Sequence, residues 1–68
     1  MVWINGKAVE AEGKSLSEVV EAVCSQRGIS PDAVAVMLND EIWVKGRWPA
    51  RPLAAGDVVE VVAMMQGG

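Results

Sequence analysis

The run Val58 to Met65 is apolar on both alternating sets of positions except at Glu60, and it contains neither Gly nor Pro. A strand with one wet face alternates polar and apolar residues, whereas a run apolar on both sets belongs in the middle of a sheet with neighbours on both edges. The chain has 68 residues. A chain this short buries only about 60% of the surface its unfolded form exposes, enough for one core and not for two. The rest of the chain must therefore supply flanking strands and one covering element, and the expected organisation is a single domain over 1–68.

Two hairpins supply the strands. Val2-Trp3-Ile4 is followed by Asn5-Gly6, a pair that favours the tight two-residue turn, and then by Lys7-Ala8-Val9-Glu10 as the return strand. Val34, Val36 and Leu38 alternate with Ala35 and Met37, Asn39-Asp40 turns the chain, and Glu41 to Val44 returns. Between the hairpins, Leu16, Val19, Val20 and Val23 recur at helical spacing. Ser15 and Glu18 form a capping box at the helix start. Arg27 suits the negative helix end, Gly28 the left-handed closing residue, and Ser30-Pro31-Asp32 prevents continuation. The expected helix covers 16–27.

Lys45 to Pro52 carries two Pro, two Arg and a Gly and reads as irregular surface chain, with Leu53 and Trp48 as apolar anchors. Arg47 and Arg51 read as solvated loop charges. Ala55-Gly56-Asp57 gives a tight turn before the last strand. The order ββαβββ, with one helix across one face of a small mixed sheet, is an α+β fold of the β-grasp, ubiquitin-like arrangement.

Composition narrows the function. Nine Asp and Glu against six Lys and Arg give a formal charge of −3, so the electrostatic footprint for a nucleic-acid backbone is missing. A mild acidity suits partners with basic docking surfaces. No apolar run reaches the roughly 18 residues of a membrane span, and the start lacks the pattern of a targeting signal, so a cytoplasmic protein with no membrane partner is expected. The single Cys24 rules out an internal disulfide and reads as a small packing residue. With no His, no phosphate-cradling loop and no Ser/His/Asp set, the chain is a poor enzyme and a plausible cosubstrate.

Gly67-Gly68 follow the apolar run after one residue, Gln66. Two residues without side chains fit a slot that any Cβ would block, and they carry the α-carboxylate of Gly68 as the candidate working group. Extended, residues 64–68 span up to about 17 Å, enough to enter a partner's active site. A carboxylate is a poor electrophile, because its charge repels an attacking sulfur; conversion to an acyl adenylate provides a good leaving group.

The element order, Ile4-Asn5-Gly6, Leu38-Asn39, Trp48, Ala55-Gly56-Asp57 and Gln66-Gly67-Gly68 together resemble the ThiS family over essentially the whole chain. ThiS proteins are ubiquitin-like sulfur carriers of thiazole synthesis in thiamine biosynthesis. The resemblance implies that a ThiF-like adenylyltransferase uses ATP to adenylate Gly68, and that sulfur from a donor protein then displaces AMP to leave a thiocarboxylate. It further implies delivery to a ThiG-like thiazole synthase, with no cofactor bound by the chain itself. The MoaD-like carriers of molybdopterin synthesis resemble it in fold and chemistry but are usually longer. A β-grasp interaction module with an inert tail and a ubiquitin-like conjugation function are the alternatives from other classes.

Partner contact falls to Gln66, Gly67, Met65, Glu60 and Trp3. The alternation that turns Val2 and Ile4 inward turns Trp3 to the open sheet face, and Trp43 is expected there as well. Trp48 closes the core from the loop side. Glu60, the only charge of the last strand, lies on the open face. Of Met64 and Met65, one is expected to pack inward and the other to face a partner.

Overall fold

A computed structural model describes residues 1–44 and 46–64. The expected Met65, Gln66, Gly67 and Gly68 contacts lie outside the described residues. The elements follow the ββαβββ order: β1 Val2–Ile4, β2 Lys7–Val9, α1 Leu16–Arg27, a short 3-10 turn Pro31–Ala33, β3 Val34–Leu38, β4 Glu41–Trp43 and β5 Val58–Ala63. The sheet order is β2-β1-β5-β3-β4. β5 is thus central, parallel to β1 and antiparallel to β3, as expected, but only one of its two apolar sets, Val59 and Val61, is buried, while Val58 and Val62 stay exposed. Three strands stop short of their expected ends: β2 at Val9 before Glu10, β4 at Trp43 before Val44, and β5 at Ala63 before Met65.

Local signals account for the element boundaries. In α1 the Ser15 side chain accepts a hydrogen bond from the Glu18 N–H at 3.1 Å and Glu18 reaches back to the Ser15 N–H. Gly28 closes the helix at φ 68°, in the left-handed region where a Cβ is costly. Both hairpins use the two-residue turn in which both central residues have positive φ: Asn5 at 49° with Gly6 at 85°, and Asn39 at 51° with Asp40 at 69°. That turn matches the right-handed twist of its strands, and Asn and Asp tolerate it better than other side chains.

The core lies between α1 and one sheet face. Val2, Leu16, Val20, Cys24, Val36 and Val59 are fully buried, joined by Ala11, Val19, Val34, Leu38, Leu53 and Val61. Each large aliphatic side chain there contributes about 1.5–3 kcal/mol by leaving water. Trp48 packs on this cluster from the loop, and Leu53 is sewn into it by backbone bonds with Gly13 and Lys14.

The β4–β5 loop is fixed by one buried carboxylate. Asp57 accepts from Arg51 Nη1 at 2.8 Å and Nη2 at 3.3 Å, from the Ala54 N–H at 2.9 Å and from Asn39 Nδ2 at 3.0 Å. Arg51, expected as a free loop charge, is therefore a structural partner; the sequence places it six residues from Asp57 with no pattern to mark the pairing. The Arg51 guanidinium, then the Ala54 N–H and the Asn39 amide, hold the Asp57 carboxyl far below the usual carboxylate range.

A carboxyl whose folded-state affinity for protons is depressed contributes stability that is complete above its unfolded pKa and disappears as pH falls toward the folded one. Urea midpoints of the wild-type chain should therefore drop as pH is lowered from about 5 to about 2, and Asp57→Asn should flatten that slope while costing about 2 kcal/mol at pH 7. An unchanged slope in the variant would contradict this role for Asp57.

Candidate functional site

β5 ends beside the stretch that carries Gly67-Gly68, so whatever fixes β5 fixes where that stretch begins. Strand pairing alone does not do it, because β1 is registered against β5 only at Trp3↔Val58 and Ile4↔Val59 before turning away. The Asn5 side chain takes over: its Oδ1 accepts from the Val61 N–H at 2.8 Å, next to the Asn5 N–H bond to the Val59 carbonyl at 3.0 Å. On the other flank Asn39 does the same, accepting from the Val58 N–H at 2.9 Å and donating its own N–H to the Val58 carbonyl at 2.9 Å. The positive φ that each turn demands is what lets each Asn side chain fold back on the central strand. At the outgoing end, the Met64 N–H donates to the Ala33 carbonyl at 2.8 Å.

The sheet face away from α1 carries the exposed candidates. The registers place Trp3, Val58, Glu60, Val62, Met37 and Ile42 on it together. Trp3 is 46% exposed, Val62 50% and Ile42 70%. Glu60 is exposed opposite Met37 and is the only ionisable side chain contributed to this face by the five strands. A surface of this kind, apolar with a single acid, fits a partner surface that is apolar with a basic group. Met64, outside the strand, is exposed; the expected division between Met64 and Met65 rests on Met65, which lies outside the described residues.

Trp43 belongs on the opposite face. It pairs with Val36, which is fully buried, and packs half-buried on the core cluster. The two-residue turn dictates this, since pairing Leu38 with Glu41 brings Val36 opposite Trp43. Counting outward from Asn39-Asp40 finds it from sequence. Cys24 is buried on α1, at 2% exposure, in the packing role expected of it.

Sequence comparison matches the ThiS family profile to residues 2–68. The chain is 52% identical to the sulfur carrier protein ThiS of Thermus thermophilus over 68 residues, covering all of both chains. It also resembles the crystal structure of the thiamine biosynthesis protein ThiS from Geobacter metallireducens, with a TM-score of 0.70 and 26% identity over 98% of this chain and 97% of that one. That likeness and the mixed five-stranded sheet with one helix establish the β-grasp fold.

The two tryptophans should separate cleanly in equilibrium unfolding. Trp43→Ala should cost about 2–3 kcal/mol through lost core packing and Trp3→Ala about 1 kcal/mol or less. The reverse order would place the core on the wrong face.

Proposed function

The chain belongs to the ThiS family of small sulfur carriers, and on that premise we propose that its working group is the Gly68 carboxylate, loaded with sulfur for thiazole formation in thiamine biosynthesis. As a family member it is a carrier acted on by partner enzymes rather than a catalyst. The observation that carries the finer reading is the Gln66-Gly67-Gly68 sequence two residues beyond the end of the central strand of the sheet.

The chemistry follows from the carboxylate's weakness as an electrophile. A Gly68 carboxylate oxygen attacks the α-phosphorus of ATP on a ThiF-like adenylyltransferase, and pyrophosphate leaves. Hydrosulfide released by a donor protein then attacks the acyl carbon, AMP leaves, the thioacid gives up its proton to water, and a thiocarboxylate remains. ATP is held by the activating partner in this reading, and the carrier contributes no cofactor site. A ThiG-like synthase takes the sulfur. The full-length likeness to ThiS proteins favours the thiazole route over the molybdopterin route of MoaD-like carriers.

Division of labour gives each part of the fold one task. Gly67 and Gly68 present bare backbone that a narrow channel can close around. Trp3 and Glu60, on the open face with Val58 and Val62, would give the partner enzymes a surface against which to orient the globule. Among the described residues no helix is long and apolar enough to cross a membrane. A cytoplasmic site of action fits the free Cys24 and the ATP-dependent partner.

Intact-mass measurement after incubation with ATP, a ThiF-like enzyme and a sulfur donor tests the reading. The chain should gain the mass difference between sulfur and oxygen, localised to Gly68 by fragmentation. Gly67→Val should abolish the gain without shifting the thermal midpoint. Failure of the wild-type chain to take up sulfur from a competent enzyme would refute it.

A further inference from the structure

On the helix side of the sheet, a groove of about 340 Å³ runs between α1 and the edge of β2. Ile4, Val9, Val19, Ala22 and Val23 supply its apolar lining. Lys7, Lys14 and Arg27 also line it, which is three of the six Lys and Arg residues in a chain whose net charge is −3. Among the described residues the ion pairs join Met1 to Glu12 and Arg51 to Asp57, and neither involves the groove cations. Of the two acids at the groove, Glu18 is engaged in the helix capping box, leaving Glu10 against three cations.

β2 is an edge strand, paired only with β1. The Trp3 N–H donates to the Asp57 carbonyl, away from β2. In an antiparallel ladder the Trp3↔Ala8 pair is therefore one of the pairs without mutual hydrogen bonds, and the N–H and C=O of Ala8 point outward from the free edge. Lys7 and Val9, its neighbours, turn their side chains to the groove face with Ile4 and Val2.

We propose that the groove and the β2 edge together bind an extended peptide segment of a partner protein, apolar at alternate positions and acidic at its flanks. Such a segment adds as a sixth strand: its main chain pairs with Ala8, its alternate apolar side chains enter the groove over Val9 and Val19, and its flanking carboxylates meet Lys7, Lys14 and Arg27. A helical ligand fits less well, because its backbone groups are already paired and leave those of Ala8 unmet. The groove lies on the sheet face opposite Trp3 and Glu60. A partner bound there leaves the open face clear, so the carrier can be tethered by one protein while another acts on it.

The test is titration of the full-length ¹⁵N-labelled chain with synthetic octapeptides that share alternating Val and Ile residues and differ only in acidic, neutral or basic flanks. Acid-flanked peptides should shift the amides of 7–10 and 19–27 with dissociation constants of about 10–500 μM, and basic-flanked ones should bind at least about tenfold more weakly. The double variant Lys7→Glu, Lys14→Glu should lose about fivefold or more of its affinity for the acid-flanked peptides at an unchanged thermal midpoint. The proposal is overturned if no acid-flanked peptide shifts these amides, if the shifts fall on Trp3, Glu60 and Ile42 instead, or if charge reversal leaves the ranking unchanged. Sulfur loading of Gly68 does not enter this readout, so its success or failure is separate.

Discussion

Everything in this fold depends on satisfying the backbone of one central strand. A buried strand must have its N–H and C=O groups paired on both flanks, because each orphaned group costs about 1–3 kcal/mol. Here β1 is only three residues long and β3 ends at Leu38, so the ladders run out before β5 is covered. Two asparagines in left-handed turns extend the pairing, Asn5 at Val61 and Asn39 at Val58. Asp57 then binds the second of these turns to Arg51 and Ala54 and ties the loop to the strand it feeds.

That architecture separates holding from reacting. α1 seals one face of the sheet, the opposite face stays open and apolar around Glu60, and β5 leads in sequence to the residues proposed to carry the chemistry. A carrier of this kind needs no acid, base or metal of its own. Its demands are a strand that does not shift when the chain beyond it is gripped, and a surface by which it is recognised.

Much of this is legible in the sequence, and the exceptions have a common cause. The capping box at Ser15 and Glu18, the stop at Gly28, the turns at Asn5-Gly6 and Asn39-Asp40 and the central place of Val58 to Ala63 are all local or periodic signals, and the structure contains each of them. Trp43 falls on the other face from the one expected, because the length of the turn, and not the aromatic character of the residue, sets its register opposite Val36. The pairing of Arg51 with Asp57 and the reach of Asn5 to Val61, 56 residues along the chain, are tertiary contacts between residues whose types are equally at home in a solvated loop or a turn. The groove beside β2 is of the same kind, since Lys7, Lys14 and Arg27 are brought together only when the hairpin lies against the helix.

The central claim is that folding and sulfur chemistry reside in different parts of this chain. The most direct measurement compares the full-length chain with one lacking Gly67 and Gly68, recording thermal unfolding and sulfur uptake on the same samples. The account predicts midpoints that agree within about 2 °C, a shift corresponding to well under 1 kcal/mol for a domain of this size, and uptake only in the full-length chain. Sulfur uptake by the shortened chain, or its loss of the folded state, would contradict it.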